Sequence, residues 1–149
     1  MPTPKTFRAV GTPRPQGSKS VFNGRLVESS KGLKPWRKVV TIAASEATRD
    51  CEQFTAVHVE AIFGFERPKS HYRTGRYSHL LKPSAPEHHN QTPDVDKLQR
   101  ALFDGISDSG AWKDDCVVVH VDACKVWIGK GSNAPEGAYV TITQIGDTK

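Results

Sequence analysis

The spacing of apolar and polar positions changes repeatedly along this chain, and each change predicts an element. Residues 7–11, "FRAVG", suit a first strand ahead of the Pro- and Gly-rich "TPRPQGSKS". In "SVFNGRLVE" (20–28) two short apolar runs flank Asn23-Gly24, a dipeptide fitted to the positive-φ positions of a tight hairpin turn. Over 35–49 the period lengthens. Trp36, Val39, Val40, Ala43 and Ala47 recur at helical spacing, and Pro35 is acceptable in a first helical turn. Alternation returns in "TAVHVEAIFGF" (55–65), where Val57, Val59, Ala61, Phe63 and Phe65 share one strand face.

Residues 66–93 show no clear period and predict a long loop, functional or disordered at that length. It carries Arg67, Lys69, Arg73, Arg76 and Lys82, interleaved with Tyr72 and Tyr77. A second helix is predicted over 96–110, with Leu98, Leu102, Phe103 and Ile106 as its apolar stripe and Gly110 as its stop. "DDCVVVHVDACKVWI" (114–128) predicts a strand whose valine run suggests burial on both faces. "AYVTITQI" (138–145) predicts a last strand, and the intervening "GKGSNAPEG" suits an antiparallel pairing of the two. No internal repeat is visible. The sum is an α/β (α+β) chain forming a single domain over 1–149: a small mixed sheet, two main helices packed on it, and one long basic loop.

A length of 149 residues suffices for a core without disulfide staples. No apolar run approaches the roughly 20 residues of a membrane span, and "MPTPKTFRAVG" lacks the apolar stretch of a secretory signal. Cys51, Cys116 and Cys124 are an odd count without a CxxC pair, which argues against a disulfide framework. They are expected to be reduced, mostly buried thiols of a cytoplasmic protein. With 21 Lys and Arg against 16 Asp and Glu, the net charge of +5 is compatible with a nucleic-acid partner.

Against that basic balance, residues 92–115 gather carboxylates: Asp94, Asp96 and Asp104, then Asp114 and Asp115. If the segment before the helix is extended, Asp94 and Asp96 point the same way. If the two ends of the helix lie near one sheet edge, Asp115 joins them. Three converging hard oxygen ligands would hold Mg²⁺ or Mn²⁺. A plainer reading stands beside this one: one Asp caps the helix, the Asp-Asp pair is a solvated turn, and Asp104 pairs with Arg100 on the helix surface.

"PDVDKLQRALFDGISDSGAWKDDCVVVHVDACKVW" resembles the signature of the RusA family of Holliday-junction resolvases, common in phages and prophages. The shared features are Asp-x-Asp, a Leu and a basic residue on a helix, an Asp-Gly, a Trp-x-Asp-Asp, and a Val-rich strand ending in Lys. The basic "GTPRPQGSKS" is similar to the family's N-terminal loop. The resemblance implies a homodimeric, Mg²⁺-dependent endonuclease that cuts branched DNA such as four-way junctions, in recombination and repair. It implies metal ligands at Asp94, Asp96 and Asp115 with Asp114 nearby. Arg100 stands where the family usually has Lys, which keeps charge stabilisation but does not suit proton transfer. Lys97 replaces the usual Asn, and Lys125 matches the strand Lys.

The expected catalytic residues are therefore Asp94, Asp96, Asp115 and Arg100. The expected DNA contacts are Arg14, Lys19, Arg67, Lys69, Arg73, Arg76, Lys97 and Lys125, with loop tyrosines stacking on unpaired bases. Three rival readings stand beside this one. A PD-(D/E)xK nuclease fails on register, since Asp122 and Lys125 are three apart. A non-catalytic DNA-binding accessory protein gains nothing from four carboxylates. A nucleotide phosphohydrolase needs neither basic arm nor dimer. His71, His79, His88 and His89 lack zinc-ligand spacing and are expected in a solvated loop. His58 and His120 are expected to be satisfied sheet residues, and the three tryptophans core anchors.

Overall fold

In the computed structural model, which describes residues 3–17, 19–22, 25–28 and 32–146, the predicted elements appear in their predicted order. They are β1 (Lys5–Val10), β2 (Lys19–Phe22), β3 (Arg25–Glu28), α1 (Leu33–Ala47), β4 (Val57–Glu66), α2 (Val95–Ser109), β5 (Val118–Ile128) and β6 (Gly137–Gln144). The predicted Asn23-Gly24 turn lies outside the described residues, but β2 and β3 pair antiparallel around it, Phe22 opposite Arg25.

The main sheet has the order β1-β6-β4-β5. β6 lies antiparallel to both β1 and β4, and β4 and β5 run parallel. A parallel pair cannot be closed by a tight turn, and here the loop and α2 form the crossover. The alternating face of β4 (Val57, Val59, Ala61, Phe63 and Phe65) is buried as its pattern requires. It meets Leu98, Leu102 and Ile106 of α2 and Trp36, Val40 and Ala44 of α1 in one core. The helices pack tightly at Gly105, where a Cβ would lie 2.7 Å from Val40 Cγ1, so only glycine permits this approach. Arg37 and Asp108 (2.8 Å) pair across the same helix contact.

The opposite sheet face is open. Thr6 and Arg8 of β1, Glu60 and Ile62 of β4, and Asp122 and Cys124 of β5 are exposed along it and line a trough of about 810 Å³.

Two expectations about the last strands need correction. β6 does not pair with β5; it fills the place between β1 and β4, leaving β5 as an edge. Nor is β5 buried on both faces. Val121, Ala123, Lys125 and Trp127 are half-buried toward the helices, and His120, Asp122, Cys124 and Val126 are exposed. The valine run misleads because the register slips within it. Val57 pairs with Val118, but His58 pairs with His120. Val119 is the extra residue of a bulge and is 65% exposed. Cys116 and Cys124 are likewise exposed rather than buried, though all three thiols are free.

The long loop is ordered. It folds back through a bridge between Tyr72 and Leu81, and Arg73 N donates to Leu80 O (2.8 Å) and Lys82 N to His71 O (2.9 Å). Among the described residues, no helix is long and apolar enough to cross a membrane.

Candidate metal and nucleic-acid site

α2 sets the positions of the carboxylates. Asp94 is its N-cap residue, and Asp96 lies in its first turn. Asp94 makes no capping hydrogen bond; its carboxylate instead sits 3.3 Å from Lys97 Nζ. The expectation of an extended Asp94–Asp96 pair is thus corrected, because helical backbone begins at Val95. Both acids still occupy the helix end where the backbone dipole favours negative charge.

Two contacts fix this end of α2. Lys125 Nζ reaches up from β5 and donates to Gln91 O and Pro93 O, the carbonyls just before Asp94. Gln16 N of the N-terminal basic loop donates to Lys97 O (3.0 Å). The same loop lays Arg14 against the start of α1, its Nε 3.1 Å from where a Cβ on Gly32 would stand. Arg14 and Lys97 therefore belong to the loop and helix that meet at this end of α2. Lys19 lies in β2, and its side chain is outside the described residues. Arg100, one turn further along α2, is exposed and forms no ion pair among the described residues.

Asp114 and Asp115 follow the other end of α2 and precede β5. Asp114 caps the short turn 115–117, its Oδ1 accepting from Cys116 N (3.2 Å). Burial holds the Asp115 carboxyl above its ordinary pKa, reinforced by a hydrogen bond to Asp114 and by the charges of Asp114 and Asp104. Among the described residues Asp104 forms no ion pair with Arg100; its charge acts on Asp115 instead. It is also about 12 Å along the helix axis from Asp96, by eight residues of helical rise.

The carboxylates thus fall into two groups, Asp94 with Asp96 and Asp115 with Asp114 and Asp104. Among the described residues they do not form a tight ligand cluster. Among the described residues, the one group of three metal-ligating side chains whose ligand atoms all lie within 4.8 Å is His58, His120 and Asp122, on the open sheet face. Sequence reasoning missed it, because the bulge that brings His120 beside His58 leaves no mark in the sequence.

The basic loop divides into two kinds of residue. Arg67 is engaged internally, donating to Pro86 O (2.7 Å) with its guanidinium 5.7 Å from the Trp127 ring centre. Tyr72 is buried, and its hydroxyl accepts from Lys130 N (2.9 Å), so it does not present a ring for base stacking. Lys69, Arg73 and Arg76 are exposed, as is Tyr77, whose ring lies 5.2 Å from the Arg76 guanidinium.

His71 and His89 are buried rather than solvated, which corrects the expectation for this loop. His89 stacks on Trp127 with ring centres 3.9 Å apart, and His71 meets the same indole edge-on. Burial, and then the Lys125 charge, hold the His89 pKa below its ordinary value. Trp36 and Trp112 are core residues as expected, while Trp127 is half-buried and anchors the loop.

The family model for endodeoxyribonuclease RusA matches residues 6–142. The crossover junction endodeoxyribonuclease RusA of Escherichia coli O139:H28 (strain E24377A / ETEC) is 39% identical over 54 residues, which are 36% of this chain and 42% of that protein. The chain thus spans less than half the length of this curated relative. The match to the family model runs from β1 to β6 and takes in all but the outermost residues of the sheet, both helices and every aspartate described above. The chain belongs to the RusA endodeoxyribonuclease family.

Proposed function

We propose that this chain is a Mg²⁺-dependent, structure-specific endodeoxyribonuclease. It resolves Holliday junctions and related branched DNA by paired phosphodiester cuts, as a homodimer in the cytoplasm, in recombination and repair. The observation that carries the reading is the match of residues 6–142 to a nuclease family, supported by the burial of Asp115 beside Asp114 and Asp104 within a chain of net charge +5. A carboxylate that its neighbours destabilise is one that a cation relieves.

The donor set suits a hard divalent ion, since it is all oxygen. Asp94 with Asp96 would hold one ion, and Asp115 with Asp114 another. Mg²⁺ keeps several waters and needs only one or two protein carboxylates, so the separation of the two groups does not oppose the assignment. Mn²⁺ fits the same ligands. Bound there, the ion supplies an activated water and neutralises charge on the phosphoryl oxygens.

The chain's own residues do the rest. Arg100 and Lys97, on the helix that bears Asp94 and Asp96, offset charge developing at the phosphate. Arg14, Lys19, Lys69, Arg73 and Arg76 hold the DNA backbone. Arg67 acts at one remove, by fixing the loop on which Lys69, Arg73 and Arg76 stand, and Lys125 by fixing the residues before Asp94. A second copy related by two-fold symmetry would match a junction of the same symmetry and pair the cuts.

The test is cleavage of a synthetic four-way junction beside linear duplex of the same sequence, in Mg²⁺ and in EDTA. Symmetric nicks confined to the junction and lost in EDTA are expected. Asp94→Asn, Asp96→Asn and Asp115→Asn should each abolish the nicks and spare junction binding. Tight junction binding without cuts in either Mg²⁺ or Mn²⁺ would overturn the nuclease reading in favour of a DNA-binding accessory protein. Cleavage that survives Asp115→Asn but not Asp94→Asn would remove the Asp114–Asp115 group from the site.

A further inference from the structure

We propose that His58, His120 and Asp122 form a second, separate metal site, on the open face of the sheet, that binds a borderline transition-metal cation of the Zn²⁺ class. His58 Nε2 is 2.7 Å from Asp122 Oδ2, and His120 Nε2 is 3.6 Å from the same oxygen. The two imidazoles face each other with ring centres 4.3 Å apart. Tetrahedral zinc bound at about 2.0–2.1 Å requires ligand atoms roughly 3.3 Å apart, so small side-chain rotations complete the geometry. Two imidazole nitrogens and one carboxylate select zinc-class ions over Mg²⁺, which prefers oxygen throughout. Three protein ligands leave a fourth position to water.

The backbone supplies an independent argument. Parallel strands rarely bulge, yet β5 carries an extra residue at Val119. In regular register Val119 would stand opposite His58, and His120 would turn toward the helices. The bulge moves His120 to the open face beside His58, and Asp122 follows two residues on, beside Glu60. Without a ligand, this arrangement gains the His58–Asp122 contact but leaves the His120 side chain 62% exposed, 3.6 Å from the same carboxylate. A bound ion would join β4 to the edge strand β5, five residues after Asp115.

The test uses the full chain and ZnCl₂ alone as probe. Calorimetry should show one Zn²⁺ per chain, and thermal unfolding should shift upward by several degrees in ZnCl₂ but not in equal MgCl₂. His120→Ala and Asp122→Asn should each weaken Zn²⁺ at least about tenfold and abolish the shift. Their Tm without zinc should match the parent protein, since both side chains are mostly exposed. Cys116→Ser and Cys124→Ser should leave binding intact, and Co²⁺ substitution should give a tetrahedral spectrum without sulfur charge-transfer bands. No Zn²⁺ uptake, or uptake that survives both ligand substitutions, would overturn the proposal. Sulfur charge transfer would overturn it too, by placing the ion on a thiol.

Discussion

Replacing Lys125 by Met tests how the end of α2 that bears Asp94 is held. Lys125 Nζ donates to the carbonyls of Gln91 and Pro93, and the next residue is Asp94. Met retains the apolar stem and removes only the ammonium. A hydrogen bond from a charged donor contributes about 1.5–3 kcal/mol. Gln91 is exposed, so water substitutes there, while Pro93 is half-buried and loses more. The two together should amount to about 2–3 kcal/mol, or a fall in Tm of roughly 4–12 °C for a chain of this size.

Two further readouts identify the cause. The Lys125 charge helps hold the His89 pKa down, so in Lys125→Met the His89 resonance should titrate at higher pH than in the parent protein. Junction cleavage should fall more than junction binding, because the substitution loosens the residue before Asp94 and leaves the exposed loop bases in place. An unchanged Tm together with a shallower salt dependence of DNA binding would refute this, and would make Lys125 a direct phosphate contact.

Other substitutions probe the remaining parts. Asp115→Asn should raise Tm at pH 7 while abolishing cleavage: the folded pKa is raised, so ionised Asp115 opposes folding above that pKa and the penalty disappears as pH falls through it. The His89 pKa is depressed on folding; the unfolded chain therefore takes up the proton first, and stability should drop as pH falls below about 6.5, a loss that His89→Phe should blunt in thermal scans from pH 8 to 5. Arg73→Ala and Arg76→Ala should each lower the salt slope of junction binding by about 1, with no change in Tm; an unaltered slope would remove the loop from the DNA interface. Gly105→Ala should destabilise by about 1–2 kcal/mol in urea, since overpacking against Val40 outweighs the gain in helix propensity.

The elements with strong periodicity were legible in the sequence. β4 buries each residue that its alternation named, and Gly110 ends α2 in the left-handed conformation its position predicts. What escaped was set by long-range pairing. Nothing local says that β6 inserts between β1 and β4, because either strand order satisfies the same alternation. The loop over 66–93 has no period because its order comes from a few specific contacts, chiefly Arg67, His71 and His89 around Trp127. Such contacts join residues far apart in sequence and carry no local signature. For the carboxylates, the helix start one residue after Asp94 decides where Asp94 and Asp96 point, and boundaries of that precision are beyond pattern reading.

The bulge in β5 has the widest consequence. An edge strand offers unpaired backbone groups that invite pairing with another sheet, and a bulge and exposed charges are common ways to block it. β5 has both, with Val119 extruded and His120 and Asp122 exposed beyond it. Yet blocking alone does not explain the residues chosen. Lys or Glu at 120 would protect the edge as well, without setting a second imidazole against His58. Lys125, on the helix-facing side of the same strand, reaches the segment before Asp94, and Asp115 directly precedes the strand. The bulge lies between Asp115 and Lys125 and fixes which side chains of β5 face α2. A single-residue deletion at Val119 would separate the two roles. It should keep His120 opposite His58 and Val121 to Trp127 paired with β4, and so retain zinc uptake, while it shortens the link from Asp115 to the strand by one residue. Loss of cleavage with zinc uptake retained would show that the position of Asp115 depends on the bulge. Loss of neither would show that the open-face site and the carboxylates are independent devices on one strand.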